Sequence, residues 1–176
     1  MVKMLKIILF ILFFLLALIY FVPKSSLYYY GEQNLEKEHI VINNETLKES
    51  LFQLDVQNFE LYYNNIESVN VKNMSFTLLV LSNNISLQDI KLNSIVQDFL
   101  PLSIETITVH QDIFNPLVIN LNAKGAFGVI NGTFHLLEKQ LKMTLNPSKQ
   151  MLQSYKKSLL YFKKEKQGTY SYAKTF

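Results

Sequence analysis

The sequence predicts a mainly β protein with flanking helices: one N-terminal transmembrane helix, then a curved antiparallel β-sheet domain with a C-terminal amphipathic helix packed against it. An unbroken apolar run near the start of the chain predicts the first helix. From His39 onward apolar and polar residues alternate with the period of a half-buried strand. After Ser148 the apolar spacing becomes helical. The part after the first helix has about 150 residues, the usual size of one domain.

The apolar run extends from Ile7 to Val22, after Lys3 and Lys6 and before Pro23. It covers roughly 24 Å as a helix, and with Met4 and Leu5 it approaches the ~30 Å hydrocarbon thickness of a bilayer. The alternative is a cleaved signal peptide, which needs small residues before the cleavage site. None stands there, so the sequence favours a retained anchor over residues 1–24, with the lipid bilayer contacted by residues 7–22.

Orientation follows from the lysines beside this run. Lys3 and Lys6 precede it and only Lys24 follows it closely, which by the positive-inside rule places the amino terminus in the cytoplasm. The expected localisation is a single-pass inner-membrane protein whose remaining residues are exported.

The charges of the exported part are segregated. Residues 25–137 carry five lysines and twelve acids, whereas residues 138–176 carry nine lysines and two acids. A basic helix that balances an acidic sheet explains this, and so does a basic flank that touches anionic headgroups or an acidic partner. Arginine is absent, so nucleic acid is not an expected partner. With no cysteine, thiol chemistry and disulfides are excluded.

A membrane-proximal helix is predicted within residues 25–39, from Leu27 to Glu38, with Ser25 or Ser26 as its cap. Gly31 weakens it. Three tyrosines follow the apolar run directly, and amphipathic rings favour the headgroup layer. We therefore predict an interfacial aromatic belt, with a stacking platform for a sugar or lipid as the alternative. Its members are Tyr28, Tyr29 and Tyr30.

Residues 40–176 form the predicted antiparallel domain, because clean alternation means that one face of each strand is buried. A switch of alternation near Gln57 and Asn58 predicts a bulge, and a helical turn is expected over residues 95–100. The predicted strands cover residues 40–42, 52–56, 59–63, 69–80, 85–92, 104–109, 117–123, 125–137 and 141–145. Gly125 and Gly128 predict bulges or tight bends. A phosphate-binding loop would need a following helix, and strand residues follow instead.

The C-terminal helix is predicted over residues 148–166, followed by a final strand within residues 169–176. Met151, Leu152, Tyr155 and Leu159 recur at helical spacing. Lysines crowd the second half of this helix, where the helix dipole favours cations. They are the candidate contacts for a partner or for headgroups: Lys156, Lys157, Lys163, Lys164 and Lys166.

No catalytic chemistry is predicted. His39, His110 and His135 have no partner at a metal-ligand spacing, and no hydrolase, phosphate-loop or paired-carboxylate motif is present. We therefore expect a protein that is not an enzyme, with no cofactor and no metal.

The chain resembles the type II secretion system protein N group through Asn115-Pro116-Leu117, Gly125-x-x-Gly128-x-x-x-Gly132 and Leu145-Asn146-Pro147-Ser148, together with the anchor and the run of strands. The resemblance implies an inner-membrane anchor and a periplasmic β-rich domain related to AsmA-like envelope proteins. It also implies an accessory or scaffold role in a protein secretion apparatus, within an envelope protein complex.

The alternative function is an AsmA-like or LptC-like bridge that handles lipid or lipopolysaccharide in the cell envelope. A lipid carrier needs an apolar face that stays uncovered, whereas a scaffold covers that face with its own helix. The predicted C-terminal helix could cover it, which favours the scaffold.

Overall fold

The computed structural model describes residues 2–21, 23–79, 82–93, 101, 103–166 and 168–176, without the side chains of residues 2, 18 and 19. The helical turn expected over residues 95–100 lies outside the described residues.

The chain begins with an α-helix, α1, at Val2–Phe21. Every residue from Ile7 to Leu16 is large, apolar and more than one-third exposed. Within the described residues, no helix is both long enough and apolar enough to cross a membrane. A helix is thus present where the sequence predicts one, but its transmembrane character is not supported.

The second helix, α2, spans Lys24–Lys37 and begins before the predicted Leu27. Its N-cap is Pro23, which makes no side-chain cap bond, so the predicted serine cap is wrong. The hydroxyl of Ser25 instead donates to the carboxylate of Glu49, 2.8 Å away. A distant partner therefore fixes where this helix starts.

The domain is one antiparallel sheet of eleven strands, as the alternation predicts. Its order is β1-β3-β4-β5-β6-β7-β8-β9-β11-β10, and β2 pairs with β3 beyond the end of β1. The strands are β1 Ile40–Asn43, β2 Thr46–Glu49, β3 Gln53–Tyr63, β4 Ile66–Leu78, β5 Ser82–Leu92, β6 Ser103–Asp112, β7 Val118–Gly125, β8 Gly128–His135, β9 Gln140–Pro147, β10 Lys163–Lys164 and β11 Tyr170–Thr175. Neither β2 nor β10 is predicted from the sequence.

The predicted switch of alternation in β3 lies at Asn58, whose φ is +54°. Val56 and Phe59 on either side of the switch are both buried. Pairing with β4 keeps its register across this point, so no extra residue is inserted and the bulge predicted near Gln57 and Asn58 is wrong. The alternation of β5 also switches, at Asp89, whose φ is +53° and which lies in the same row across the sheet as Asn58. The described register shifts of β3 and β6 lie elsewhere, at Leu61/Tyr62 and Ile104/Thr106.

Gly125 and Gly128 flank the tight turn between β7 and β8, so the tight-bend interpretation is correct and the predicted strand from residue 125 begins too early. Gly128 has φ +113°. A Cβ there would collide with the backbone of Asn146, Pro147 and Ser148. This glycine is required both by its conformation and by the close approach of the end of β9.

The helix predicted over residues 148–166 is wrong in its extent. The structure has α3 at Lys149–Ser154, capped by Ser148, then α4 at Lys156–Leu159. Beyond these, Lys163 and Lys164 form β10 on the outer edge of β11. A continuous helix would leave this stretch of β11 without its ladder hydrogen bonds, and tertiary pairing outweighs local helical spacing.

One face of the sheet carries the core, in two parts. Tyr28 of α2 packs on the first part with Leu54, Phe59 and Val71. Met151 and Leu159 pack on the second, around Leu145, Ala123 and Phe127. Ile104 and Ile107 contact both parts, so a single core runs under both helical segments.

Candidate apolar cleft and its surroundings

The three predicted belt tyrosines do not share one environment. Tyr29 and Tyr30 are exposed, whereas Tyr28 is 7% exposed. Its ring meets the ring of Phe76 edge-on, with 6.4 Å between centroids. Consecutive helical residues are about 100° apart, so three in a row cannot face one surface. The predicted place in an interfacial aromatic belt is therefore wrong for Tyr28 and remains a prediction for Tyr29 and Tyr30.

The five predicted contact lysines are all exposed. Lys156 and Lys157 lie on α4 and Lys163 and Lys164 on β10, with Lys166 in the turn that follows. A helix, a strand and a turn thus present them, rather than one helix face. Their role as partner contacts remains a prediction.

The three histidines lie on different elements: His39 precedes β1, His110 is in β6 and His135 ends β8. His110 lies 3.8 Å from the carboxylate of Asp112, and both side chains are about one-third exposed. Within the same residues, no group of three or more His, Asp or Glu could hold a metal ion.

An apolar cavity of about 300 Å³ lies between α2 and the sheet. Leu27, Tyr28, Gly31 and Leu35 line it from the helix, at the spacing of one helix face. Gly31 stands where this stripe would carry a side chain, and a Cβ there would meet nothing within 4 Å. Glycine within a helix costs about 1 kcal/mol relative to alanine. Gly31, Leu27 and Leu35 are exposed, so they form an open rim of the cavity on which Gly31 contributes no side chain.

The floor of the cavity is the apolar face of β3, β4 and β5, with Leu54, Phe59, Met74, Phe76 and Leu87 among its members. Its volume is at the lower limit of small-molecule pockets, roughly 300–1,000 Å³. These walls suit a hydrocarbon chain.

One residue that lines the cavity has a buried polar atom without a partner among the described residues. The hydroxyl of Tyr28 is buried and makes no hydrogen bond within the described residues. Burial raises the pKa of this phenol, and the acids Glu45 and Glu32 add to the shift. Its proton therefore stays on the oxygen. A buried hydroxyl without a partner costs about 1–3 kcal/mol, which a ligand carbonyl or carboxyl oxygen would offset.

Lys24 at the start of α2 also lines the cavity and is 3% exposed. Its Nζ lies 3.7 Å from the carboxylate of Glu49, the last residue of β2. The same carboxylate accepts hydrogen bonds from the backbone N–H groups of Lys24 and Ser25, at 3.1 and 3.3 Å. Glu49 thus fixes the first turn of α2 against the sheet. Its hydrogen bonds from Ser25 and Lys24 lower the pKa of Glu49.

This lowered pKa predicts acid sensitivity of the α2 attachment. The folded state favours the charged carboxylate of Glu49. The stability that this carboxylate contributes is therefore fully present above the ordinary glutamate pKa of 4.5, and it is lost as the pH falls through the lower pKa of the folded state. We expect Glu49→Gln to lower the thermal midpoint at pH 7 and to flatten its decline in acid. The exposed turn residue Glu138 provides the control. If Glu138→Gln has the same effect, the attachment does not depend on Glu49.

A larger depression of about 700 Å³ crosses the polar side of the sheet where the alternation switches. Three of its five charged lining residues are in ion pairs. Lys72 lies 3.5 Å from Asp89, and Glu105 lies 2.9 Å from Lys124, all four being largely exposed. The cleft under α2 is the better candidate because it is apolar and contains an unpaired buried group.

Sequence reasoning missed most of this cleft. Gly31 in the middle of an amphipathic stripe was a usable signal, because a helix otherwise avoids the residue. The pairing of Lys24 with Glu49 left no sequence signal, since 25 positions separate them.

No family model, curated protein or solved structure matches the chain. The likeness to the secretion protein N group therefore remains a prediction based on its motifs.

Proposed function

We propose that this chain is a non-enzymatic, membrane-anchored envelope protein that handles lipid, taking one acyl chain into the cleft between α2 and the sheet. The observation that carries the proposal is the apolar cavity left open at Gly31, lined by Tyr28, whose buried hydroxyl is unpaired among the described residues. An acyl chain fits the apolar walls. Tyr28 would donate a hydrogen bond to an ester or carboxyl oxygen of the lipid.

The anchoring part of the proposal rests on the first helix. Its exposed apolar side chains, from Ile7 to Leu16, would be costly in water. In the sequence, the apolar run to Val22, together with Met4 and Leu5, approaches the thickness of a bilayer. The lysine asymmetry supports a cytoplasmic amino terminus and a periplasmic sheet. Lipid would then enter the cleft close to the bilayer from which it comes.

Filling the cavity from Gly31 tests the lipid function. We expect full-length Gly31→Leu protein in detergent to lose most labelling by a diazirine derivative of palmitic acid, because the new side chain occupies the cavity. Labelling of the unchanged protein should map by mass spectrometry to α2 and to strands β3–β5. Tyr28→Phe should weaken labelling several-fold, since only the hydrogen bond is removed.

Gly31→Ala is the matched control. It adds one methyl group where there is open space and improves helix propensity, so it should keep its labelling and be at least as stable as the original. Labelling that is unaffected by Gly31→Leu, or that maps outside the cleft, would overturn the proposal.

A second candidate function is an accessory or scaffold component of an envelope protein complex, of the kind found in type II secretion. It is favoured by the cover that α2 and α3 provide over parts of the apolar face and by the five exposed lysines after residue 155. Crosslinking in intact cells, followed by purification and mass spectrometry, tests it. Stoichiometric secretion subunits would support the scaffold, whereas bound lipid without a protein partner would exclude it.

A further inference from the structure

One end of the sheet collects the turns β2–β3, β6–β7 and β8–β9, the end of β11, and Leu79 and Ser82, where β4 ends and β5 begins; we call it the loop end. The backbone N–H of Leu78 donates to the carbonyl oxygen of Phe52, and the backbone N–H of Leu136 donates to the carbonyl oxygen of Leu117, each at 2.9 Å. Ser82 pairs with Asp112 between these two contacts. These bonds place the turns side by side.

Each part of the loop end exposes large apolar side chains. Phe114 is 91% exposed and Leu137 is 77% exposed. The other exposed apolar residues of the loop end are Leu51, Phe52, Leu79, Ile113, Leu117, Leu136 and Phe176. Scattered apolar residues on a surface are ordinary, but a contiguous group marks an interaction site.

The most exposed of these residues sits in a fixed turn. The carboxylate of Asp112 accepts hydrogen bonds from the N–H groups of Phe114 and Asn115, at 2.9 and 3.0 Å. The side chain of Gln111 donates to the carbonyl of Pro116 at 2.7 Å. The turn is therefore ordered in a form that holds Phe114 away from the core.

The opposite end differs in its described turns. Asn64 and Asn65 form the β3–β4 turn, and Phe127 in the β7–β8 turn is 3% exposed. Tyr63, Ile66 and Val129 are exposed beside these turns, fewer than the nine apolar side chains that are exposed at the loop end.

The chain arrives from α1 at the loop end. Lys24 and Ser25, which begin α2, are hydrogen-bonded to Glu49. Glu49 pairs with Leu54 just before the β2–β3 turn. The apolar helix α1 therefore joins the domain at the same end as the exposed apolar turns.

We propose that the loop end is a membrane-contact surface, whose turns insert into the outer part of a phospholipid bilayer beside the anchor. Insertion by several apolar turns would hold the sheet upright on the bilayer, with the α2 cleft opening near its surface. This inference rests on the anchoring part of the proposed function and not on lipid binding in the cleft.

The chain contains no tryptophan, so each substitution by tryptophan gives a single fluorescent probe. Full-length Phe114→Trp and Leu137→Trp proteins are reconstituted into phosphatidylcholine vesicles with brominated acyl chains. We expect their fluorescence to be quenched several-fold more than that of Tyr63→Trp, the exposed aromatic control at the opposite end. Equal quenching at both ends, or none at the loop end, would overturn the proposal.

Flotation of the same vesicles tests the membrane anchor separately from the membrane contact of the loop end. Protein that floats with the vesicles while its loop-end probes stay unquenched retains the anchor but contradicts the membrane-contact surface. Protein that does not float contradicts both. Protein whose probes are shielded from water without bromine quenching contacts another protein instead, which also contradicts the proposal.

Discussion

Phe59→Ala is expected to destabilise the domain by about 3–5 kcal/mol, the usual cost of truncating a buried phenylalanine. Phe59 is 2% exposed. It pairs with Val71, which pairs with Ile90, so its ring lies in a row of buried side chains across β3–β5. Removing the ring would lose its burial and enlarge the cavity under α2. Thermal unfolding of the full chain in mild detergent, followed by circular dichroism, measures the change.

Tyr63→Ala is the control for this prediction. Tyr63 lies on the same strand but is 55% exposed, and a surface substitution usually changes stability by within about 0.5 kcal/mol. We expect a clear separation between the thermal midpoints of the two variants. If both lose the same stability, Phe59 is not a core residue and the switch of alternation at Asn58 is misplaced.

Gly128→Ala is expected to be the second most disruptive change. A non-glycine residue in a sparsely populated backbone region costs about 1–3 kcal/mol, and Gly128 has φ +113°. In addition, its new Cβ would push against the backbone at Asn146 and Ser148, where β9 ends and α3 begins. The thermal midpoint should fall, and faster proteolysis near residues 146–155 should accompany the fall.

Gly168→Ala distinguishes the strain of a positive φ from the collision of a new Cβ with neighbouring backbone. Gly168 also has a positive φ, +77°, but a Cβ there would meet nothing within 4 Å. Only conformational strain should act, so this variant should lose less stability than Gly128→Ala. Equal losses would mean that the close approach to β9 is unimportant.

Local patterns in the sequence were sufficient to predict most of the sheet. Strict alternation identifies a strand because neighbouring residues face opposite sides, and β3 to β9 and β11 lie close to the predicted ranges. The switch at Asn58 could be predicted for the same reason, because the parity of the apolar residues changes there. The short strands β2 and β10 could not, since four and two residues give too little alternation to recognise.

The candidate cleft was predicted less well. Gly31 weakens the predicted helix, but a glycine alone does not reveal whether its missing side chain faces solvent or a cavity. Tyr28 was assigned to the membrane interface because it follows the apolar run, and its burial depends on how α2 is rotated on the sheet. Glu49 fixes that rotation through contacts across 25 positions.

The sequence by itself determined the N-terminal helix, the antiparallel alternation and the positions where glycine is needed, because these depend on interactions between near neighbours. Only the tertiary structure decided that α2 lies over β3–β5 with a cavity beneath Gly31, that Lys163 and Lys164 join the sheet, and that the apolar turns gather at the end where α1 enters. These features depend on which strand edges and faces meet, and the backbone and side-chain partners concerned are far apart in the chain.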